Sequence, residues 1–144
     1  MQPVEHTAVI RHPQKMVFDT AADPFTQLKW DPETMKSVEK VSDGPLSKGS
    51  RFRANFKGFG TVNYEFADFD PPRKFSHRAK VKAGEMRHTL TFEEVPEGTR
   101  VTQTGEMTPN FMGKLMAPMM RKMLEKRLHA VASEVSDYLD GQRT

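Results

Sequence analysis

The chain has 144 residues, of which 36% are apolar, and its 22 Lys and Arg against 19 Asp and Glu give a formal net charge of +3. This length predicts one domain covering residues 1–144, and the lack of an apolar run of about 18 residues predicts no transmembrane helix. The absence of cysteine excludes disulfides and thiol chemistry. The N-terminus lacks the basic and apolar regions of a secretory signal, so we expect a cytoplasmic protein.

Prolines punctuate the first forty residues and divide them into short elements. Pro13 opens one helix, and Asp23-Pro24 starts a second helix that ends near Trp30, because Asp31 precedes a proline and is pushed out of the helical region. The predicted elements are a strand at 4–10, helices at 14–22 and 24–30, and a second strand at 35–41.

From Ser50 onward, apolar residues occupy alternate positions in five successive runs separated by turns, one of them Ala83-Gly84-Glu85. This period of two predicts an antiparallel meander with one dry face and one wet face. The predicted dry-face positions are Phe52, Ala54 and Phe56; Val62, Tyr64 and Phe66; Phe75, His77, Ala79 and Val81; Met86, His88, Leu90 and Phe92; and Val101, Gln103, Gly105 and Met107.

The C-terminal third changes to a helical period and predicts one amphipathic helix over residues 108–140. Its apolar stripe, which we expect to be covered by the sheet, comprises Phe111, Leu115, Met119, Met123, Leu128, Val131, Val135 and Leu139, with Met116 and Met120 beside it. Thr108 or Asn110 caps the start, and Gly141 is placed for a left-handed C-cap. Because an interior proline costs about 3 kcal/mol, Pro118 predicts a short segment at 110–117, a kink or break, and then the main helix.

The order strand, two short helices, six strands and long helix resembles the helix-grip superfamily, also called START-like or SRPBCC, and within it the polyketide cyclase/dehydrase-like proteins. The pieces that carry the resemblance are Pro13 with Val17-Phe18, Trp30-Asp31-Pro32, Gly49-Ser50-Arg51-Phe52, Asp70-Pro71-Pro72-Arg73, Pro96-Glu97-Gly98-Thr99 and the final helix. The resemblance implies an α+β fold in which a seven-stranded curved antiparallel sheet wraps around the helix, with an apolar cavity between them. Members of the superfamily bind lipids, sterols, plant hormones or polyketides, and some catalyse; no catalytic residue is carried over to this chain.

Four polar residues fall on the predicted dry face, namely Tyr64, His77, His88 and Gln103. Counting from the turns places Tyr64 opposite or one step diagonal to His77, places His77 and His88 as diagonal neighbours, and puts Gly105 where it leaves room beside His88. Buried polar groups need hydrogen bonds, so these residues either face a ligand or satisfy one another.

The predicted ligand-binding set is Trp30, Phe56, Tyr64, Phe66, His77, His88, Leu90, Gln103, Phe111, Leu115, Met116, Met119, Met120 and Met123. Methionine side chains are flexible and suit an adaptable binding site, but they also serve as ordinary core residues. Trp30 either packs at one end of the helix or closes the cavity.

Three functions follow from this pattern. The first is a carrier or sensor that binds a small hydrophobic molecule resembling a lipid, sterol or polyketide. The second is a polyketide cyclase or dehydratase that uses the inward His and Tyr as acid and base, and the third is a ligand-free interaction module. We expect a monomer or homodimer with no cofactor and no stable membrane insertion. A metal site is disfavoured because no inward carboxylate or third His accompanies His77 and His88, and nucleic acid is disfavoured because the basic outer face lacks interleaved aromatic residues.

Overall fold

The computed structural model describes residues 2–142 as a seven-stranded antiparallel sheet, two short helices and one long helix. The strand order is β1-β7-β6-β5-β4-β3-β2, so β2 to β7 form a meander and β1 pairs with β7. This is the predicted helix-grip arrangement. The elements are β1 Val4–Ile10, α1 Gln14–Ala22, α2 Pro24–Trp30, β2 Met35–Lys40, β3 Arg51–Phe56, β4 Gly60–Asp70, β5 Lys74–Val81, β6 Gly84–Val95, β7 Gly98–Pro109 and α3 Phe111–Gly141.

The predicted alternation of the strands is confirmed. Phe75 on β5 pairs with Leu90 on β6, and both side chains are buried on the concave face of the sheet. Arg78 and Arg87, one position out of phase with the buried set, also pair with each other and contact acidic neighbours on the convex face. One face of the sheet is therefore dry and the other carries ion pairs.

Helix α1 fills one half of the concave face. Phe18 of α1 lies edge-to-face against Phe75 and Phe92, with ring centroids 5.7 and 5.2 Å apart. Phe18 belongs to a core cluster that also includes Trp30, Phe52, Phe66, Val131 and Val135. Burial of a Phe or Leu side chain contributes roughly 1.5–3 kcal/mol, so this half of the sheet holds most of the stabilising contacts.

Helix α3 rests mainly on β1 and β7 and also touches α1 and α2. Leu124 and Leu128 form a small core cluster with Val4. The start of α3 is fixed to the β5–β6 turn, because the Asn110 side chain donates to the carbonyl of Lys82 (2.8 Å) and also caps the helix by accepting from the backbone N–H of Gly113 (3.0 Å). Asn110 is one of the two predicted caps.

The predicted break at Pro118 is wrong. Helix α3 runs without interruption from Phe111 to Gly141 with Pro118 inside it. The proline lacks the N–H that would bond to the carbonyl of Lys114, and its ring crowds that carbonyl. Both residues lie on the exposed part of the helix, where water can take over the missing hydrogen bond.

The predicted left-handed cap at Gly141 is also wrong. Gly141 is the last residue of α3, and no positive φ is recorded for it. The backbone ends in a right-handed conformation at Gln142, whose N–H bonds to the carbonyl of Leu139 at 3.1 Å. A glycine is therefore not needed for the helix to end here.

The prediction that the whole apolar stripe of α3 is covered holds only for its C-terminal half. Leu128, Val131, Val135 and Leu139 are buried. In the N-terminal half, Gly113 and Leu124 are the buried positions, whereas most of the large apolar residues of this half contact solvent. Phe111, Met112, Leu115, Met116, Met119 and Met123 are exposed.

Gly113 packs tightly against the β5–β6 turn and the end of β7. A Cβ atom at this position would collide with the backbone carbonyl of Ala83 and lie 2.9 Å from the Pro109 Cβ. Alanine in a helix is ordinarily better than glycine by about 0.5–1 kcal/mol, but overpacking against backbone costs about 1–3 kcal/mol, so the clash dominates.

We therefore expect Gly113→Ala to lower the free energy of unfolding by about 1–2 kcal/mol, as measured by urea denaturation. Gly141→Ala is the matched control, because a Cβ at Gly141 meets nothing within 4 Å. It should be neutral or slightly stabilising. Equal effects of the two substitutions would contradict the close contact.

Candidate ligand-binding site

The N-terminal half of α3 faces the part of the concave sheet that α1 does not cover, and we call the region between them the cleft. Helix α3 sits over β1 and β7, and α2 packs against β2 at the opposite edge of the sheet. The concave-face residues between them, near the β5–β6 turn, are only partly buried: Phe56, Val62, His77, Ala79, Val81, Met86 and His88. The cleft is thus apolar apart from its two histidines and the neighbouring Tyr64.

Tyr64 and His77 meet at the floor of this cleft. They are diagonal neighbours on β4 and β5, and their ring centroids lie 5.1 Å apart. The diagonal arrangement was one of the two predicted for this pair. Aromatic rings enclose His77, with Phe66 at 5.0 Å and Phe75 at 5.2 Å. The Tyr64 Oη and the His77 Nε2 are both buried and have no hydrogen-bond partner among the described residues.

Burial sets the charge of both groups. Removal from water, with the Asp23 carboxylate as a second cause, raises the pKa of Tyr64 above its ordinary value. The same desolvation, followed by repulsion from His88, lowers the pKa of His77 to about 3. At neutral pH the floor therefore carries a neutral phenol and a neutral imidazole.

His88 and Gln103 form an internal network instead. The Gln103 side chain is fully buried; it donates to the carbonyl of Leu128 on α3 (2.8 Å), and its Oε1 lies 2.9 Å from the His88 Nε2. Desolvation lowers the pKa of His88 to about 4, although the bond to Gln103 opposes the shift. His88 and Gln103 therefore bond to each other, as one of the two interpretations of the inward polar residues predicts; the other interpretation, that they face a ligand, is not needed for this pair.

Two details of the predicted geometry are wrong. His77 and His88 are directly opposite each other, not diagonal, because the β5–β6 turn consists of Lys82 and Ala83 alone and Gly84 already belongs to β6. Gly105 does lie opposite His88, but the space above it is filled. A Cβ at Gly105 would come within 2.8 Å of the Leu124 Cδ2.

Three methionines share one face of α3 with Arg127. Met116, Met120 and Met123 precede Arg127 at steps of four, three and four residues, so the four side chains share one face of α3. Arg127 donates to Asp31 at the end of α2. This face therefore looks from β7 across the concave face toward the β2 edge, and Met120 on it is partly buried while Met116 and Met123 are exposed.

The other predicted residues of the N-terminal half lie elsewhere on the helix. Phe111, Leu115 and Met119 are on the side opposite to Gly113 and Leu124, which contact the sheet. Phe111 is 80% exposed and Leu115 is 71% exposed. These three residues face away from the cleft.

The remaining predicted site residues are part of the core around the cleft. Trp30, Phe66 and Leu90 are buried, and the Trp30 Nε1 donates to the carbonyl of Thr20 at 2.9 Å. Phe56 is partly buried and lies 6.4 Å from Tyr64 between ring centroids. A void between α1, the sheet and the C-terminal half of α3 measures about 10 Å³ and is lined by Leu90, Gln103 and Val131 among others. That volume is about the size needed for one water, so this half of the interior has no room for a larger ligand.

Sequence reasoning missed a buried charged cluster beside the cleft. Asp31, fully buried at the end of α2, accepts from Arg127 (Nη2 to Oδ2, 2.6 Å) and from Gln27 (3.1 Å). Glu134, two turns after Arg127 on α3, interacts with Asp31. Burial is the larger cause and the Asp31 carboxyl the second cause that raise the pKa of Glu134 to about 7. The signal available in the sequence was the spacing of Arg127 and Glu134 on one helical face, but Asp31 is 96 residues from Arg127 and no local pattern joins them.

In residues 2–142, no group of three His, Asp or Glu side chains is arranged to hold a metal ion. No helix within these residues is long and apolar enough to cross a membrane.

Solved structures with the same fold are numerous and distant in sequence. A Mesorhizobium loti protein is 14% identical with a TM-score of 0.79, covering 99% of this chain and 100% of its own. A Thermus thermophilus protein is 20% identical with a TM-score of 0.75, covering 99% and 100%. The di-domain ARO/CYC BexL from the BE-7585A biosynthetic pathway is 16% identical with a TM-score of 0.79, and the match covers 95% of this chain and 49% of that one. At these identities the likeness establishes the fold alone.

No curated protein sequence matches the chain significantly. A family model does, over residues 1–136, and its description is polyketide cyclase / dehydrase and lipid transport. The match includes every strand, both short helices and most of α3. The chain therefore belongs to the polyketide cyclase / dehydrase and lipid transport family.

Proposed function

We propose that this protein binds a small hydrophobic molecule of the lipid, sterol or polyketide type in the cleft between the N-terminal half of α3 and strands β3 to β6. The observation that carries the proposal is the pair of unpartnered polar atoms, Tyr64 Oη and His77 Nε2, at the floor of an otherwise apolar cleft. Leaving a buried polar group unpaired costs about 1–3 kcal/mol, so a fold that retains such a pair is destabilised unless something else bonds to it.

The chemistry of the floor suits one polar group on an apolar ligand. The Tyr64 hydroxyl stays protonated and donates, whereas the neutral His77 ring offers either a donor or an acceptor nitrogen, depending on its tautomer. A ligand hydroxyl, carbonyl or carboxyl reaching this point would satisfy one or both atoms. The remainder of the ligand would lie against Phe56 and the methionines, the usual division of labour in small-molecule sites.

Access to the floor requires the helix side of the cleft to move. Ligand sites commonly occupy about 300–1,000 Å³, and the void of about 10 Å³ under α1 is far smaller. The N-terminal half of α3 buries only Gly113 and Leu124, and segments with few buried contacts open at low free-energy cost. Methionine side chains on that wall adapt to different ligand shapes by rotating.

The proposed contact set is narrower than the one predicted from sequence. It consists of Phe56, Tyr64, His77, Met116, Met120 and Met123. His88 and Gln103 bond to each other and to α3, so they shape the floor. Trp30, Phe66 and Leu90 support it from the core, and Phe111, Leu115 and Met119 face solvent.

The alternative of a cyclase or dehydratase receives less support from the same residues. An effective acid or base has a pKa near the working pH. The low pKa of His77, about 3, makes it a weak base, and the raised pKa of Tyr64 makes it a weak acid. The pair is better suited to orienting a ligand than to moving protons.

Binding can be tested by native mass spectrometry with three probes, oleic acid, ergosterol and 1,8-dihydroxyanthraquinone, followed by titration of whichever binds. We expect a one-to-one complex with at least one probe, and a tenfold or greater loss of affinity in His77→Leu, because one hydrogen bond to a buried ligand contributes about 1.4 kcal/mol. The substitution should leave the unfolding free energy unchanged or raised, since it removes an unpaired polar atom.

His88→Leu is the matched comparison, because it leaves the Gln103 Oε1 without its partner. It should destabilise the fold by about 1–3 kcal/mol. The proposal fails if none of the three probes binds, or if His77→Leu unfolds the protein and leaves probe preference unchanged in the folded fraction.

A further inference from the structure

We propose that the outward face of the N-terminal half of α3, together with the Phe59 turn, is a docking surface for anionic lipid bilayers. This surface, the apolar tip, consists of Phe59, Phe111, Leu115 and Met119, all exposed. It lies outside the cleft, so it can exist whether or not the cleft binds a ligand.

The apolar tip gathers residues from two separate elements at one end of the sheet. In an antiparallel meander the β3–β4 and β5–β6 turns lie at the same end, and α3 begins there because Asn110 is bonded to Lys82 and Ala83. The β4 and β6 strands are two strand spacings apart, about 10 Å. Phe59 and Phe111 therefore lie at the same end of the sheet.

The local backbone favours exposure of Phe59. It stands between Gly58 and Gly60, whose φ angles of +87° and +74° belong to the left-handed region that glycine tolerates. A Cβ at either glycine would meet nothing within 4 Å, and Phe59 itself is exposed. An uncovered aromatic residue at the tip of a hairpin is suited to insertion into the boundary between lipid headgroups and acyl chains.

Charge identifies the partner. Residues 110–127 contain five Lys and Arg and one Glu, whereas residues 128–142 contain three Asp and Glu and no Lys or Arg. The exposed lysines around the apolar tip are Lys57, Lys82, Lys114, Lys122 and Lys126. A helix face that combines Phe, Leu and Met with flanking lysines is typical of peripheral binding to an anionic membrane surface.

The same charges disfavour a second copy of this chain as the occupant. A symmetric dimer through the apolar tip would bring its lysines against one another, and like charges in contact oppose association. The absence of a helix able to span a membrane among residues 2–142 agrees with docking at the surface rather than insertion.

The test is flotation of the purified protein with phosphatidylcholine vesicles, with and without about 30% phosphatidylglycerol. We expect binding to the anionic vesicles to be at least tenfold stronger, and to weaken when the salt concentration is raised from about 0.1 to about 0.5 M. The double variant Lys114→Gln/Lys122→Gln should lose about fivefold for each lysine, and Phe111→Ser/Leu115→Ser should lose tenfold or more. Met16→Ser removes an exposed methionine from α1 and should change nothing.

Four results would overturn the proposal. They are equal binding to both vesicle types, undiminished binding by both double variants, a dimer in solution that Phe111→Ser/Leu115→Ser converts to monomer, and retention on immobilised poly-glutamate without binding to either vesicle. The last two would assign the apolar tip to a second copy or to an acidic polypeptide.

Discussion

Lowering the pH from 7 to 5 is expected to reduce the free energy of unfolding by about 1–3 kcal/mol, chiefly because desolvation keeps His77 and His88 neutral in the folded protein. Their pKa values are lowered to about 3 and about 4 in the folded protein, whereas unfolded histidine titrates near 6.5. Below pH 6.5 the unfolded chain therefore takes up protons that the folded chain does not. Each histidine then removes about 1.4 kcal/mol of stability per pH unit.

Glu134 acts in the opposite direction. Its folded pKa of about 7 is raised, so its contribution to stability is largest at low pH and is lost as the pH rises through 7. Glu134 offsets part of the stability lost through the two histidines, and the histidines together determine the sign of the overall change.

Two substitutions separate these contributions in urea denaturation at pH 7, 6 and 5. His77→Phe places an apolar ring among Phe66 and Phe75 and should reduce the acid loss by about 2 kcal/mol, whereas Glu134→Gln should make the loss steeper. An acid loss that His77→Phe leaves unchanged would show that this ring titrates freely in the folded protein.

Asp31→Ala is expected to lower the free energy of unfolding by about 3 kcal/mol. Removing one member of a buried ion pair costs about 3–5 kcal/mol, and the lower end applies because Arg127 reaches solvent on one side. The substitution also removes the acceptor of Gln27 and detaches α2 from α3. Part of the loss is offset because Glu134 no longer faces a second carboxyl.

Glu39→Ala provides the comparison for Asp31→Ala. Glu39 pairs with Arg53 at 2.7 Å on the exposed face of the sheet, and such surface pairs contribute about 0–1 kcal/mol. Thermal and urea unfolding of both variants should therefore differ by about 2 kcal/mol or more. If Asp31→Ala is as mild as Glu39→Ala, the Asp31–Arg127 contact does not hold the two helices together.

Local patterns were sufficient to predict the sheet and its dry face. Alternation in β5 and β6 places Phe75 and Leu90 inward, and the structure buries both. The register between β5 and β6 was harder to predict, because adding one residue to the β5–β6 turn changes which residues of the two strands pair. Assigning Gly84 to the turn moved His77 away from its true partner, His88.

The N-terminal half of α3 marks where sequence periodicity stops being informative. An apolar stripe indicates that a helix face avoids water, but it does not say whether the protein's own sheet, a ligand or another surface covers it. Leu128 is covered by β1 and β7, whereas Leu115, on a different side of the helix, is not. The Asp31–Arg127–Glu134 cluster was missed for a related reason, since its members come together only when α2 and α3 pack.

The cleft itself is tested most directly by methionine methyl NMR with the probe that binds in native mass spectrometry. The chain has ten methionines, and Met→Leu substitutions assign their signals. Saturable shifts at Met116, Met120 and Met123, with no change at Met16 on α1 or at the buried Met35, are the result expected for a ligand held between α3 and the sheet. Shifts confined to other methionines, or spread evenly over exposed ones such as Met16, would contradict the site.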